Sequence, residues 1–386
     1  MSLFLEKNCY FKDFELSLKE RLVNMSWSFF ILIAMVVFIS IVLLYSIGGG
    51  GINSFAGKQL IRFLLGCAVF FAIALSDLRI WMKYAYWLYG ISLALLFAVD
   101  FVGHGAMGAQ RWLSLGGLQI QPSELMKITL VLALARYFHS SSDEDVEKTT
   151  HLFIPLILLG LPVSLILVQP DLGTALMLVF VTVAIFWLVG VQWWKFALVG
   201  LAGLLAIPVG WHFLHDYQKD RVLTFLNPER DPLGVGYHIT QSKITLGSGG
   251  VFGKGFMQGT QSHLNFIPEK HTDFIFTVLS EEFGLVGAGL LLLIYMIIIF
   301  YGVKMSLKSN NFFGKILGLG LTVNFSLYVF INTAMVMGLM PVVGIPLPLV
   351  SYGGSAMLFL MAGFGLIESV HVNEEMVIDR LGVDRE

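Results

Sequence analysis

With 386 residues, 56% of them hydrophobic and 13% charged, and a mean hydropathy of +0.79, the chain falls well short of the roughly 25% charged residues of soluble domains and reads as an integral membrane protein. Its net charge of −2 and low charge density argue against nucleic acid as a partner. The two cysteines, Cys9 before the first apolar block and Cys67 within the second, share no loop, so no structural disulfide is expected.

Residues 1–25 carry Lys and Glu together and form an expected cytoplasmic N-terminal segment, unlike a cleavable signal peptide with its short basic head. Apolar runs long enough to cross the hydrocarbon core as helices follow at 26–47, 60–76, 81–100, 122–138, 152–168, 172–190, 193–211, 274–303, 314–339 and 348–371. The expectation is therefore an all-α polytopic membrane domain over 26–371 with about ten transmembrane helices. One long polar stretch, 212–273, interrupts it between the seventh and eighth spans, and 372–386 is a short charged tail. Lys and Arg collect in alternate short loops, Arg79, Lys83, Arg136, Lys148, Lys304 and Lys315 on one side against Lys58, Arg62 and Arg111 on the other. The positive-inside rule then puts both termini in the cytoplasm and the long loop outside.

Charges inside or beside these spans are the functional candidates. Gly108-Ala109-Gln110-Arg111-Trp112 in an outer loop is either a membrane anchor or a clamp on a lipid phosphate. Glu124 and Lys127 stand three apart on one helical face, either as an internal ion pair or as part of a working cavity. In the long loop, Gly247 to Gly255 matches neither nucleotide fingerprint, because Ser248 and Gly255 occupy positions where the Walker spacing needs Gly and Ser or Thr, and Phe252 stands where the dinucleotide pattern needs Gly. With Lys243 and Lys254 beside it, the stretch is either a surface turn or a backbone cradle for phosphate. Asp273 precedes the eighth span, where it either caps the helix or stands as a general base at the outer surface. Glu281 and Glu282, deeper in that helix, face either a polar cavity or a partner side chain. The Met340-Pro341 to Pro348 turn leads into Ser351-Tyr352-Gly353-Gly354-Ser355, small residues suited to close helix packing. No Cys/His cluster has metal-ligand spacing.

These stretches, together with Pro122-Ser123-Glu124, Gln169-Pro170-Asp171-Leu172-Gly173-Thr174-Ala175, Gly236 to Ile244 and Pro268 to Phe276, resemble the SEDS (shape, elongation, division and sporulation) family of membrane glycosyltransferases. Gly259-Thr260-Gln261 and Leu264-Asn265-Phe266-Ile267-Pro268-Glu269 resemble its RodA, rod-shape-determining branch more than its division branch. The resemblance implies ten transmembrane helices with a large extracytoplasmic loop between helices 7 and 8, in the bacterial inner membrane. It also implies polymerisation of lipid II with release of undecaprenyl diphosphate, and a class B penicillin-binding protein as membrane partner. Under that reading Asp273 is the catalytic base, and Arg111, Trp112, Glu124, Lys127, Lys243, Lys254, Glu269, His271 and Ser351 meet the substrate. Arg111, Lys254 and Lys243, or a divalent cation (Mg2+ or Mn2+), would stabilise the leaving diphosphate, with Asp171 and Glu269 as carboxylates either behind the substrate contacts or on the metal, and no organic cofactor expected. The rival readings are a transporter that flips lipid II and a scaffold that only recruits the penicillin-binding protein.

Overall fold

The computed structural model describes residues 16–51, 54–106, 109–115, 118–213, 216–231, 234–264, 266 and 269–378. Cys9, most of the N-terminal segment, the end of the charged tail, and Gly108, Asn265, Ile267 and Pro268 of the motifs lie outside the described residues.

Long helices stand at all ten expected positions: α1 (Trp27–Ile47), α2 (Phe55–Ala74), α3 (Leu78–Val102), α4 (Pro122–His139), α5 (Phe153–Val168), α6 (Leu172–Val189) and α7 (Trp193–Phe213) before the long loop. Within the loop lie α8 (Asp216–Leu226) and α9 (Val235–Ser248), and after it come α10 (Ile275–Lys308), α11 (Phe312–Val336) and α12 (Gly354–Val372). Among the described residues, eight of the helices are long and apolar enough to cross a membrane, leaving out α4 and α7. The omission of α4 has a physical cause. It carries Glu124, Lys127 and Arg136, yet only Leu125 and Arg136 are even partly exposed along its length. It packs against α3, α5, α6 and α11, so protein and not lipid surrounds its charges. In contrast, α7 is exposed along most of its described length, with Leu198, Leu201, Leu204 and Leu205 facing outward.

The all-α expectation needs one amendment. Between α3 and α4 lies a small antiparallel sheet of three strands, β1 (His104–Ala106), β2 (Ala109–Leu115) and β3 (Leu118–Ile120), in that order. Strands this short leave little periodic signal in sequence.

Glycine permits the tightest helix contact. α2 lies along α12, where a Cβ on Gly66 would come within 2.8 Å of the Met361 side chain and one on Gly365 within 2.9 Å of the Phe70 carbonyl oxygen. Between α11 and α12 the chain from Pro341 to Tyr352 forms no helix. Backbone at membrane depth must be satisfied by protein, and here side chains do so. Tyr295 Oη donates to Pro348 O (2.6 Å), Ser40 Oγ to Val350 O (2.7 Å), Gln59 Nε2 to Ser351 O (3.3 Å) and Asn332 Nδ2 to Ile345 O (2.7 Å).

Candidate active site

The turn that enters α10 is stitched to this proline segment. Asn332 Nδ2 donates to Asp273 O (2.9 Å), Ser351 Oγ to Thr272 O (2.6 Å), and Tyr352 N to His271 O (2.8 Å). Within the turn Glu269 takes a positive φ of 49°, and Thr272 Oγ1 donates to its carboxylate at 3.1 Å. The result is a rigid platform with Asp273 at its centre.

Asp273 is not a cap. α10 begins after Phe274, and no side chain accepts a hydrogen bond at its start. Among the described residues no hydrogen bond reaches the Asp273 carboxylate. Its Oδ2 instead faces Gly344, whose φ is +77° and whose added Cβ would stand 3.5 Å away. Burial pushes its pKa up to about 6, the nearby Glu269 carboxylate adds to the rise, and Arg221 opposes it. Arg221, on α8, donates to Val342 O at 3.2 Å and so bridges the long loop to the proline segment. His238, on α9, packs its ring beside Phe274. Burial lowers its pKa, while Asp231 and Glu269 pull it back up. Lys243, about one and a half helical turns further along α9, is exposed and runs over Gly338, where a Cβ would meet its Cε at 2.2 Å. Arg221, His238 and Asn332 were not singled out from sequence. Arg221 lies in a loop helix of ordinary polar composition, and only the tertiary fold brings it to Asp273.

Several expected substrate contacts have other work. Lys254 is held by the protein itself: its Nζ binds the fully buried Glu281 Oε1 at 2.7 Å and Thr260 Oγ1 at 2.8 Å. Glu281 also accepts from the backbone N–H groups of Gln261 (2.9 Å) and Ser262 (3.0 Å), and so anchors the loop. The glycine stretch is no phosphate cradle either, since Lys254 N and Gly255 N donate to the carbonyls of Glu281 and Glu282. A Cβ on Gly249 would lie 1.9 Å from Ser280 O and one on Gly253 2.1 Å from Glu282 O. These glycines let the loop lie against α10 where that helix breaks at Gly284 (φ 65°, ψ −162°).

Arg111, on β2, is likewise committed. Its guanidinium donates to Gln169 O (3.4 Å) and Pro170 O (2.5 Å) and stands 3.9 Å from Asp171, which caps α6 through Thr174. It ties the small sheet to the turn before α6, with the partly buried Trp112 beside it. Asp171 thus serves as the cap of α6 and the partner of Arg111. Ser351 is a strut, its hydroxyl donating to Thr272 O while accepting from Leu347 N (2.8 Å). The His271 ring stacks on Phe55, 4.8 Å between centroids. Glu124 and Lys127 pair at 2.7 Å, and Tyr328 Oη bonds to both. Glu124 and Tyr328 also border a narrow crevice, with room for little more than a water molecule, between α4, α11 and α12. Among the described residues no group of three or more His, Cys, Asp or Glu side chains is placed to hold a metal. Among the described residues, Glu269 and Asp273 are the carboxylates of the turn before α10.

The chain's relatives agree with this architecture. The model of the FtsW/RodA/SpoVE cell cycle protein family matches residues 20–376. Peptidoglycan glycosyltransferase MrdB of Escherichia coli is 44% identical over 351 residues, 90% of this chain and 93% of that protein. MrdB of Helicobacter pylori is 40% identical over 314 residues, 80% of each. Among solved structures, a chain from a peptidoglycan synthase complex coordinating polymerization and crosslinking superposes with a TM-score of 0.79 at 33% identity, covering 91% of this chain and 98% of that one. The rod shape determining protein RodA of Thermus thermophilus gives 0.69 at 30% identity, with the same coverage. With a family model spanning nearly the whole chain and a fold shared with RodA, this multi-pass membrane protein belongs to the FtsW/RodA/SpoVE, or SEDS, family.

Proposed function

We propose that this peptidoglycan glycosyltransferase joins lipid II units by inverting displacement, with Asp273 as general base. The observation that supports it is a partly buried carboxylate, pushed up to about pKa 6, on a platform fixed from three sides and without a hydrogen-bond donor among the described residues. Asp273 takes the proton of the acceptor sugar hydroxyl, the oxygen attacks the donor anomeric carbon, and the bond from that carbon to the diphosphate breaks. The electron pair leaves with undecaprenyl diphosphate. Arg221 and the exposed Lys243 replace Arg111 and Lys254 as the cations that meet the charge on the leaving diphosphate. A Mg2+ or Mn2+ ion, if bound, would be held by Glu269 and would add to that charge neutralisation.

The lipid II headgroup is then used on the outer face of the bacterial cytoplasmic membrane, with both termini in the cytoplasm, during elongation and maintenance of cell shape. A class B penicillin-binding protein crosslinks the product, in line with the peptidoglycan synthase complex to which the chain is similar. The interior favours an enzyme over a flippase, because Glu124, Lys127 and Tyr328 satisfy one another instead of lining an open passage.

The test is polymerisation of labelled lipid II by the purified chain with its penicillin-binding partner, native against Asp273→Asn. Glycan from the native complex and none from a folded, partner-bound variant is expected. Equal polymerisation by both would remove the base assignment, and lipid II movement across vesicles without polymerisation would put the flippase in its place.

A further inference from the structure

Arg62 stands about two turns into α2, at the outer end by the orientation above, and its guanidinium lies over the Tyr352 ring, with Cζ 4.2 Å from the centroid. Among the described residues none of its N–H donors makes a hydrogen bond or ion pair, and Nη1 is fully buried. A partly buried guanidinium left so is costly in a membrane protein, and a position that only packed against Tyr352 would not need the charge. The nearby start of α12 adds to the cost. α12 begins at Gly354 with no side chain accepting its first N–H groups, and a Cβ on Gly354 would lie 3.7 Å from Arg62 Nη2. A guanidinium thus faces the positive end of a helix whose N–H groups are uncapped, two like charges that an anion between them would satisfy together.

We propose that Arg62, the Tyr352 face and the start of α12 form an anion subsite that holds the diphosphate of a lipid-linked substrate. This rests on the polymerase reading above and adds a binding residue to it. Tyr352 joins the subsite to the catalytic platform, because its N–H is bonded to His271 O, two residues before Asp273. A lipid tail has a path as well: Leu60, Ile61, Leu64 and Leu65 on α2 are exposed beside Arg62. Bidentate recognition is what a flat guanidinium supplies to phosphate oxygens, and Lys would keep the charge while losing the fork and the stack.

The same phosphate chemistry could come from an anionic phospholipid headgroup, so the experiment separates the two. Native, Arg62→Gln and Arg62→Lys chains are compared with their partner in neutral detergent and again with phosphatidylglycerol added, following initial polymerisation rate against lipid II concentration. In parallel, the rise in thermal unfolding midpoint produced by lipid II is measured for each chain alone. The expected result in neutral detergent is a KM raised about tenfold or more by Arg62→Gln, far more than kcat falls, with Arg62→Lys in between. The lipid II stabilisation should shrink in the same order. An unchanged KM and unchanged stabilisation would overturn the subsite, and a defect seen only with phosphatidylglycerol present would assign it to the phospholipid instead. If the native complex makes no glycan, the polymerase reading fails, while the stabilisation series still decides whether Arg62 holds the diphosphate.

Discussion

Asp273 and Glu281 stand near the head of the same helix, and both are carboxylates in a chain with few charges, yet their surroundings differ at every point. Glu281 is fully buried and accepts hydrogen bonds from Lys254, Thr260 and the backbone of Gln261 and Ser262. Asp273 is partly buried, has no donor on its carboxylate among the described residues, and is raised to about pKa 6. A buried carboxylate whose partners are complete holds a loop to a helix. One whose surroundings are fixed but whose own oxygens are left open is set up to exchange a proton with something that arrives. Glu124 falls on the Glu281 side of this divide, since Lys127 and Tyr328 use both of its oxygens.

The sharpest way to break the contrast is a pair of conservative substitutions. Asp273→Asn should lower polymerisation by about 10²–10⁴-fold, the span of general-base catalysis, while its unfolding midpoint stays near the native value because no hydrogen bond to the carboxylate is lost. Glu281→Gln should act the other way, destabilising the chain by about 3–5 kcal/mol through the cation stranded at Lys254. Thermal unfolding in detergent and protein yield read this directly. Adding Lys254→Met to Glu281→Gln should recover part of the loss, because the unpaired charge is gone. A stable but inactive Glu281→Gln chain would mean that the loop anchor is also chemical.

Much of this was legible before the fold was known, and for identifiable reasons. The ten helix positions follow from runs of apolar residues, and the Glu124–Lys127 pair from a spacing of three on a helix. Asp273 was visible as a carboxylate next to an apolar run. What sequence could not supply was the pairing of distant polar residues. Lys254 and Glu281 lie in different segments, so each looked available until the loop folded back on α10. Arg111 looked like a phosphate clamp because the turn at Gln169 and Pro170 that takes its donors lies far along the chain. The choice between cap and base at Asp273 rested on where α10 starts, a matter of one or two residues.

A smaller effect tests the proton itself. Asp273 must be ionised to accept a proton, and its raised pKa means that the ionised fraction falls as pH drops through about 6. The expected profile of kcat/KM therefore rises with pH through about 6 and loses about tenfold per unit well below it. Fixed-pH steps of labelled lipid II polymerisation, with the fold monitored at each step, would show it. A limb centred near the ordinary carboxylate range would mean that Asp273 is better solvated than its surroundings indicate.

The finest test asks why that limb stands where it does. Burial is the main cause of the raised pKa, Glu269 adds to it through like-charge repulsion, and Arg221 offsets part of it. Glu269→Gln removes the repulsion without changing the burial, so the acid limb should move to lower pH while the plateau falls only modestly. Arg221→Met removes an attraction and should move the limb to higher pH. Opposite displacements from two side chains on different elements would show that the titrating group lies between them, which is where the fold puts Asp273. If both variants left the limb in place, the titration would belong to another group, with His238 the next to examine because its ring lies within reach of the same Glu269.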